Sequence, residues 1–427
     1  MTFEKIVVPT PVVDILGDEM TRILWEDIKD KLIHPYLKLE DLRVFDLGIM
    51  SRDETDDQIT KDCAQAIIDA KVGIKCATIT ASPARVAEFG LKKQWKSPNG
   101  TIRNTVPGAA IFRAPILLKN VPKYIPSWEK PVIMSRHSYA DQYKAQDFVV
   151  PGAGTVKLTY TPAEGVQAEP IERIVNEFEG EGVAMGIFNT GASVSAWARN
   201  VFSYAIKVHD DEPEMMQGVM LAHKDTIMKQ YDGYFRDTYR TIFEEEFKAE
   251  FEKRGMWYEE QLIDNFVATL VKTKGGFLAA LRNRDGDVLS DMAAQGCGSL
   301  GLMTSVLYDP VNEILEAEAS HGTVQKHYYR YLALRKDGLD HEEAMKLVST
   351  NPTASIFAWT RGLAHRGRLD GNEALVTFCE KLEQATLSTI DDKMIMTKDL
   401  AILMNREDWA SSFEFIAAIK ETLDELL

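Results

Sequence analysis

The first third of the chain alternates short β-rich runs with stretches of helical periodicity, and this alternation restricts the fold more than any other feature. Strand-like runs cover Ile6 to Leu16, Leu42 to Leu47 and Val72 to Thr78. Apolar residues recur at helical spacing from Met20 to Ile33, and a second helical pattern covers Asp56 to Ala70. Strands separated by helices favour parallel pairing, because each helix returns the chain to the same end of the sheet. The pattern predicts an α/β fold with parallel strands.

The middle and the end of the chain follow other patterns. Between about residues 140 and 190, alternating runs such as Val156 to Tyr160 and Val183 to Ile187 are separated by glycine-rich turns, which predicts a small β-rich insert. From about residue 194 the pattern is helical. The charged stretch Phe243 to Lys248 has apolar residues four apart, as in a solvated amphipathic helix. The C-terminal residues are again predicted to be helical.

Composition limits the classes of protein that fit. A chain of 427 residues with 45% hydrophobic content can bury large cores, and we expect two or three domains. A net charge of -16 without any polybasic run argues against nucleic acid or an anionic membrane as partner. The four cysteines lack a Cys-x-x-Cys pair, which fits a reducing compartment. We expect a soluble cytoplasmic protein, with a matured organellar form left open.

One short window collects groups that bind carboxylates or phosphates. Lys96 to Arg103 supplies hydroxyl, amide and guanidinium donors around a Pro-Asn-Gly turn, and Arg113 and Arg136 follow. Arginine suits this chemistry because its planar fork can hold a carboxylate through two hydrogen bonds. The window therefore favours a small polyanionic substrate. The alternative is that these arginines are exposed salt-bridge partners beside an ordinary turn.

Two aspartates four residues apart indicate a possible cation site. If a helix begins near Asp287, its carboxylate and that of Asp291 project from one helix face and offer oxygen ligands to a divalent cation. Asp264 interrupts an apolar helical face and is a candidate third ligand. The alternatives are an Asp-Gly turn followed by acids that suit a helix N-terminus, and a capping or lysine-paired role for Asp264.

A turn of small residues near Gly322 leads into a helical pattern. Backbone N–H groups at such a helix start can bind phosphate, and Lys326 and His327 add cations nearby. The segment lacks both the G-x-G-x-x-G fingerprint and the G-x-x-x-x-G-K-[ST] loop, so a nucleotide bound here needs another architecture. The alternative is an ordinary helix start with surface His and Lys.

Several long strings in the same order resemble one enzyme family. From Gly17 almost to the C-terminus, the chain is similar to the homodimeric NADP-dependent isocitrate dehydrogenases of the eukaryotic type, which also occur in bacteria. The strings that carry the resemblance are Gly73 to Thr80, Trp95 to Asn104, Asp141 to Tyr143, Tyr231 to Gly233, Asp285 to Asp287, Gly298 to Gly301 and Ser355 to Gly362.

The resemblance implies a fold and an activity. The fold is the α/β architecture of isocitrate and isopropylmalate dehydrogenases, which differs from the Rossmann fold. Its parts are a large domain (residues 1–107 and 300–427), a small domain (residues 108–140 and 191–299) and a β-rich clasp (residues 141–190) that forms the dimer. The implied reaction is the oxidative decarboxylation of isocitrate to 2-oxoglutarate and CO2, a step of the tricarboxylic acid cycle, with NADP and Mg2+ or Mn2+ as cofactors.

The resemblance also implies a role for each matched residue. Isocitrate would contact Thr80, Ser97, Asn99, Arg103, Arg113 and Arg136. The metal would be held by Asp287 and Asp291 with Asp264 of the partner subunit, and the proton-transfer residues would be Tyr143 and Lys224, the latter also from the neighbouring subunit. NADP would contact Lys75, Thr78, Thr80, Arg85, Asn99, Lys272, Gly322, Thr323, Val324, Lys326, His327 and Asn351, with Lys272, Lys326 and His327 around the 2'-phosphate.

The chain departs from the family pattern at several positions. The family commonly has Arg where this chain has Lys326, and Gln where it has Thr269. The 2'-phosphate of NADP would therefore still meet a positive charge, but it would lack the planar guanidinium group that can donate two hydrogen bonds. We therefore expect NADP preference with reduced discrimination against NAD. An added residue and a proline between Thr105 and Ala110 could shift Arg113. Two lengthened segments, about Phe202 to Met220 and the helical Leu334 to Val348, have no assigned role.

Three other functions remain open at this point. The first is an NAD-dependent β-decarboxylating dehydrogenase for 3-isopropylmalate or tartrate. These substrates carry fewer carboxylates than isocitrate, so the presence of Ser97, Asn99 and the full set of arginines argues against them. A metal-dependent phosphohydrolase could use Asp287 and Asp291, although no second metal cluster is visible in the sequence. A noncatalytic binding module would leave the substrate residues without a purpose.

Overall fold

The computed structural model of the chain describes residues 4–106 and 108–427. Pro107, the added proline and the expected limit of the large domain, lies outside the described residues. Two compact units make up the chain: one contains residues up to Ser138 and from Val194 onwards, and the other is Tyr139–Ser193.

Helices and strands alternate along most of the chain. The helices are α1 Glu19–Ile28, α2 Ile49–Glu54, α3 Gln58–Ala70, α4 Pro83–Phe89, α5 Pro98–Thr105, α6 Gly191–Asp211, α7 Tyr231–Ile242, α8 Lys248–Arg254, α9 Ile263–Leu270, α10 Asn283–Gly296, α11 Gln325–Lys336, α12 His341–Met345, α13 Thr353–Asp370, α14 Glu373–Asp391, α15 Lys398–Leu403 and α16 Ser412–Leu426. The strands are β1 Ile6–Val8, β2 Val12–Leu16, β3 Leu37–Leu39, β4 Leu42–Asp46, β5 Val72–Lys75, β6 Ala110–Pro115, β7 Val132–Arg136, β8 Gln146–Val150, β9 Gly154–Tyr160, β10 Ile171–Phe178, β11 Gly182–Gly186, β12 Gly218–His223, β13 Trp257–Leu262, β14 Phe277–Leu281, β15 Met303–Asp309 and β16 Ile314–Ala319.

A ten-stranded sheet forms the centre of the larger unit, in the order β13-β12-β14-β7-β6-β15-β16-β5-β2-β4. The strands from β13 to β7 are parallel to one another, and so are those from β16 to β4. Strands β6 and β15 lie between these two blocks and pair antiparallel with their neighbours. The parallel strands predicted for the first third are confirmed, but the whole sheet is mixed.

One row of side chains crosses the middle of this sheet. In the strand register, Lys75 of β5 lies opposite Glu318 of β16, Glu318 lies opposite Ser305 of β15, and Ser305 lies opposite Arg113 of β6. Directly opposed residues of paired strands point to the same face, so these four side chains project from one side of the sheet. Charged residues that are far apart in the sequence, Lys75, Arg113 and Glu318, therefore become neighbours on the sheet.

Helix α13 covers the sheet and is buried along most of its length. It packs on β5, β15 and β16 and against α14, which explains why it carries apolar residues on several faces instead of one stripe. Its Trp359 is fully buried, with its ring centroid 5.3 Å from that of Trp25 on α1. Each large apolar side chain buried in this way stabilises the fold by about 1.5–3 kcal/mol.

The smaller unit consists of two antiparallel strand pairs. Strand β8 pairs with β11, and β9 pairs with β10. The short alternating runs predicted in this region are therefore strands. Several large apolar side chains of the second pair are exposed, namely Leu158, Tyr160, Ile171, Ile174 and Val175.

Several local predictions were wrong in detail. The run from Ile6 to Leu16 forms two strands in different sheets, because Pro9 and Pro11 cannot donate ladder hydrogen bonds. The run from Val72 ends as a strand at Lys75 instead of Thr78. Phe243–Phe247 is a π-helical turn between α7 and α8 and not a regular amphipathic helix. The helix predicted from Met20 to Ile33 is α-helical to Ile28 and then forms a π-helical turn, Lys29–Ile33. The segment from Leu334 to Val348, predicted to be helical, is divided between the end of α11 and the short α12. The other predicted helices and strands are present within a few residues. In the described part of the chain, no helix combines the length and the apolar character of a membrane span.

Candidate active site

Two arginines predicted to bind substrate project from neighbouring strands. Arg136 lies opposite Ile111, two residues before Arg113 on β6, so both guanidinium groups point to the same face of the sheet. Both residues are buried, at 4% and 1% exposure for Arg113 and Arg136. Buried guanidinium groups require anionic partners or a ligand, because an uncompensated buried charge is strongly destabilising.

The third predicted substrate arginine, Arg103, lies on α5 and contacts the row on the sheet. Its Nη2 donates to Glu318 Oε1 at 2.6 Å, and Lys75 Nζ lies 3.6 Å from Glu318 Oε2. Burial disfavours the charge of Glu318, but Arg103 and then Lys75 outweigh it and hold the pKa of Glu318 well below its usual range. Burial raises the pKa of Glu316, two residues earlier, and the charge of Glu318 raises it further. The Glu318 carboxylate thus pairs with two cations, while the neighbouring Glu316 favours the protonated form.

Helix α10 brings Asp287 and Asp291 to the arginines. It begins at Asn283, earlier than predicted, and the Asp-Gly pair lies inside the helix instead of in a turn. A Cβ atom at Gly286 would be 2.9 Å from Arg136 Cβ, so only glycine allows this close approach to β7. The glycine therefore sets the distance between the carboxylates and the arginines.

The carboxylates and guanidinium groups form one network. Arg113 Nη1 donates to Ser290 Oγ at 2.7 Å and to Asp291 Oδ1 at 3.1 Å, and Arg136 Nη1 donates to Asp287 Oδ1. The side chains of Asp287 and Asp291 remain 43% and 55% exposed. Burial raises the pKa of Asp291, Arg113 opposes that effect, and Asp287 adds to it. Two half-exposed carboxylates one helical turn apart suit a hard divalent cation.

Lys224 and Asp264 pair with each other within the chain. Lys224 Nζ donates to Asp264 Oδ2, and Asp264 lies in the first turn of α9. The predicted third metal ligand is therefore the partner of a lysine here. Within residues 4–106 and 108–427, no group of three or more His, Cys, Asp or Glu side chains is arranged to hold a metal ion.

Asp232 supports Lys224 and was missed by the sequence analysis as a site residue. This fully buried carboxylate accepts from the Lys224 backbone N–H at 2.6 Å and lies 3.1 Å from Arg282 Nη1. The signal available was its place in the Tyr231 to Gly233 string. The sequence analysis also missed Glu318 as a site residue. The available signal was an acidic residue in the mostly apolar strand β16, because a buried carboxylate requires a cationic partner.

The predicted cofactor residues near β5 include one buried polar atom without a hydrogen-bond partner among the described residues. Lys75 Nζ donates to Cys76 O at 3.0 Å and to Thr78 Oγ1 at 3.2 Å, and Thr80 is exposed after the strand. Asn99 Oδ1 is buried and has no hydrogen-bond partner among the described residues. Arg85 pairs with Glu19 and Glu88, so it would need to exchange partners to bind a ligand. An orphaned buried oxygen such as Asn99 Oδ1 fits a polar cofactor that donates a hydrogen bond to it.

A second group of predicted cofactor residues lines a cavity of about 280 Å³ beside the start of α11. His327 Nδ1 lies 2.6 Å from Thr350 Oγ1, and Asn351 Nδ2 donates to Asp399 Oδ2 at 3.0 Å. His321 Nε2 is buried without a hydrogen-bond partner among the described residues. The cavity is lined by Ser299, Leu300, Gly301, His321, Gly322, Val324, His327, Ser349, Thr350, Asn351 and Asp399. Asp399, which the sequence analysis missed, fixes the Asn351 amide.

Two further predicted residues are Tyr143 and Lys272. Tyr143 ends a 3₁₀ turn, Asp141–Tyr143, in the smaller unit. Lys272 is exposed just after α9, and its backbone N–H donates to Thr269 O at 3.0 Å. The larger unit thus joins Arg113 and Arg136 to Asp287 and Asp291, and Lys224 to Asp264.

Comparison with known proteins gives a consistent result. Residues 6–419 match the family described as isocitrate/isopropylmalate dehydrogenase. The chain is 50% identical over 424 residues to "Isocitrate dehydrogenase [NADP] 1" of Mycobacterium bovis (strain ATCC BAA-935 / AF2122/97), covering 99% of this chain and 98% of that protein. It is 47% identical over 427 residues to the Candida tropicalis "Isocitrate dehydrogenase [NADP] peroxisomal", covering 99% and 98%. It is 47% identical over 431 residues to the Sus scrofa "Isocitrate dehydrogenase [NADP], mitochondrial", covering 99% and 97%. The chain belongs to the isocitrate/isopropylmalate dehydrogenase family.

Proposed function

We propose that the chain catalyses the NADP-dependent oxidative decarboxylation of isocitrate to 2-oxoglutarate and CO2. The observation that carries the proposal is the network in which buried Arg113 and Arg136 meet Asp287 and Asp291 on one face of the sheet, with Arg103 beside Glu318. Cations for a polycarboxylate and oxygen ligands for a metal are needed together for this reaction. Relatives with this activity in their names match nearly the whole chain.

Isocitrate binding is assigned to Thr80, Ser97, Asn99, Arg103, Arg113 and Arg136. Three guanidinium groups match three carboxylates, whereas 3-isopropylmalate or tartrate would leave one cation without an anion. Arg113 and Arg136 bind Asp287 and Asp291 in the protein alone. When substrate and metal bind, the arginines would pair with the substrate carboxylates and the aspartates would pair with the metal ion. No charge would be left unpaired by this exchange of partners.

The divalent cation, Mg2+ or Mn2+, is assigned to Asp287 and Asp291 together with Asp264 of the partner subunit. When bound, the cation supplies a Lewis acid at the substrate oxygens and NADP supplies the hydride acceptor. Lys224 is assigned to remove the substrate hydroxyl proton, and Tyr143 to deliver a proton to C3 after CO2 is lost. Asp232 would hold Lys224 in position through its backbone.

A homodimer with shared active sites follows from these assignments. Because Lys224 and Asp264 contact each other, one partner subunit would supply both. The proposed domains are residues 1–107 and 300–427, residues 108–140 and 191–299, and the clasp 141–190. The exposed apolar side chains of β9 and β10 support a dimer-forming clasp. A cytoplasmic location is also proposed, supported by four free buried thiols. Cell fractionation tests that location.

A spectrophotometric assay tests the activity. Purified chain with isocitrate, NADP and Mg2+ should show absorbance at the reduced-nicotinamide band, and a chelator should abolish it until Mg2+ or Mn2+ is restored. Arg103→Gln should lower kcat/KM for isocitrate about 10- to 150-fold, the loss expected for hydrogen bonds between charged groups. Arg43→Gln is the matched control, because Arg43 is exposed and pairs with Asp41. Turnover of 3-isopropylmalate or tartrate with NAD, and none of isocitrate, would reject the proposal.

Complementation tests the shared sites. Lys224→Gln and Asp287→Asn chains should each be inactive alone. When the two are co-expressed, a mixed dimer contains one site with both residues intact, so activity should reappear. Absence of activity in an isolated mixed dimer would show that each chain builds its own site.

A further inference from the structure

Helix α11 carries a third cation beside the two predicted at its start. Arg330 lies four residues after Lys326 and three after His327. Residues three and four apart on a helix share a face, with Cβ atoms about 5–6 Å apart. Arg330 therefore lies on the helix face that carries Lys326 and His327, beside the cavity lined by His327 and Asn351.

Neither Arg330 nor Lys326 has a carboxylate within ion-pair distance in the described part of the chain, and both are exposed. In contrast, the nearby Arg85 pairs with Glu19 and Glu88. Acidic residues outnumber basic ones, 65 to 49, so two adjacent unpaired cations are not explained by a shortage of carboxylates. Like charges one turn apart weaken a helix unless an anion lies between them.

His327 is not the cation that this position needs. Burial lowers the pKa of His327, and the nearby charge of Arg330 lowers it further. With Nδ1 beside Thr350 Oγ1, the imidazole can orient a ligand through hydrogen bonds but favours the neutral form. Apart from Lys398 of α15, whose charge also acts on His327, the cations near this end of the cavity among the described residues are those of α11.

We propose that Arg330 binds the 2'-phosphate of the nicotinamide cofactor and determines the preference for NADP over NAD. The inference rests on the proposed function. The family that the chain resembles commonly has arginine where this chain has Lys326, whose ammonium group is a point charge. One helical turn later, Arg330 supplies a planar guanidinium group that can donate two hydrogen bonds to a phosphate. Arg330 would then offset the reduced discrimination against NAD that is expected from Lys326.

Binding of cofactor fragments tests this without turnover. Calorimetry should compare adenosine 2',5'-bisphosphate with adenosine 5'-monophosphate, which lacks the 2'-phosphate. Arg330→Gln should weaken bisphosphate binding about tenfold or more and leave monophosphate binding within twofold. Lys336→Gln is the control, because it removes an exposed cation from the same helix further from the cavity. Arg330→Lys, which keeps the charge but not the fork, should bind the bisphosphate with intermediate affinity.

Kinetics provide the second readout. For Arg330→Gln, KM for NADP should rise about tenfold with kcat unchanged, and KM for NAD should stay the same. If Arg330→Gln binds the bisphosphate as well as Lys336→Gln does, Arg330 has no such role and the proposed function stands. If the unaltered protein binds both fragments equally, it has no 2'-phosphate site, and the NADP assignment is rejected together with Arg330.

Discussion

Gly286→Ala tests whether the contact between α10 and β7 sets the geometry of the site. The added Cβ would lie 2.9 Å from Arg136 Cβ, 3.0 Å from its Cγ and 3.1 Å from its Cα. Carbon atoms pack at about 3.5–4.0 Å, so the helix must move by roughly 0.5–1 Å. Overpacking costs about 1–3 kcal/mol, and replacing a helical glycine returns about 1 kcal/mol. We expect a net loss of stability of about 2 kcal/mol or less.

The effect on activity should be larger than the effect on stability. Helix α10 carries Asp287 and Asp291, and a displacement of about 1 Å at reacting groups can cost about 100-fold. We expect kcat/KM for isocitrate to fall about 10- to 100-fold, with a small decrease in the urea midpoint. Gly233→Ala on α7 is the control, because the nearest atom to its Cβ would be Arg236 Nη2 at 4.0 Å. Unchanged kcat/KM in Gly286→Ala, with a stability equal to that of the control, would refute the reasoning.

Three further predictions concern buried groups. Glu318→Gln leaves the cations of Lys75 and Arg103 without their carboxylate, so the free energy of unfolding in urea should fall by about 3–5 kcal/mol; a change below about 1 kcal/mol would contradict the pairing. The pKa of Glu316 is raised in the folded state, so the stability that protonated Glu316 contributes to the fold is fully present below its pKa in the unfolded chain. This stability is lost as the pH rises through the pKa of the folded state. As the pH rises from 5 to 8, the Tm of Glu316→Gln should therefore increase relative to the Tm of the unaltered protein. An equal Tm difference at pH 5 and pH 8 would contradict the raised pKa of Glu316. Burial raises the pKa of every cysteine thiol, so Ellman's reagent at pH 8 should label the native protein slowly and the unfolded protein at all four: Cys63, Cys76, Cys297 and Cys379.

Sequence periodicity predicted most helices and strands, because local spacing encodes which face of an element is buried. It did not predict that β6 and β15 run antiparallel between two parallel blocks, since strand direction depends on distant pairing. The π-helical turn at Phe243–Phe247 also escaped notice, because apolar residues four apart fit an α-helix as well.

The candidate site was predicted in part. The charged window, the two following arginines and the Asp287 and Asp291 pair were visible in the sequence, and the structure joins Arg113 and Arg136 to these aspartates. The role of Glu318 depends on its register opposite Lys75, which no local pattern encodes. The assignments of Tyr143, Lys272 and Asp264 remain predictions.

The pairing of Lys75 with Glu318 has a consequence for biosynthesis. Strand β5 emerges from the ribosome long before its neighbour β16, and translation at about 5–20 residues per second separates the two by roughly 10–50 s. During that interval one edge of β5 lacks a partner and the Lys75 cation has no counterion. Nascent chains should therefore be vulnerable to aggregation until the last third is synthesised, and C-terminal truncations should yield insoluble material instead of a smaller working enzyme.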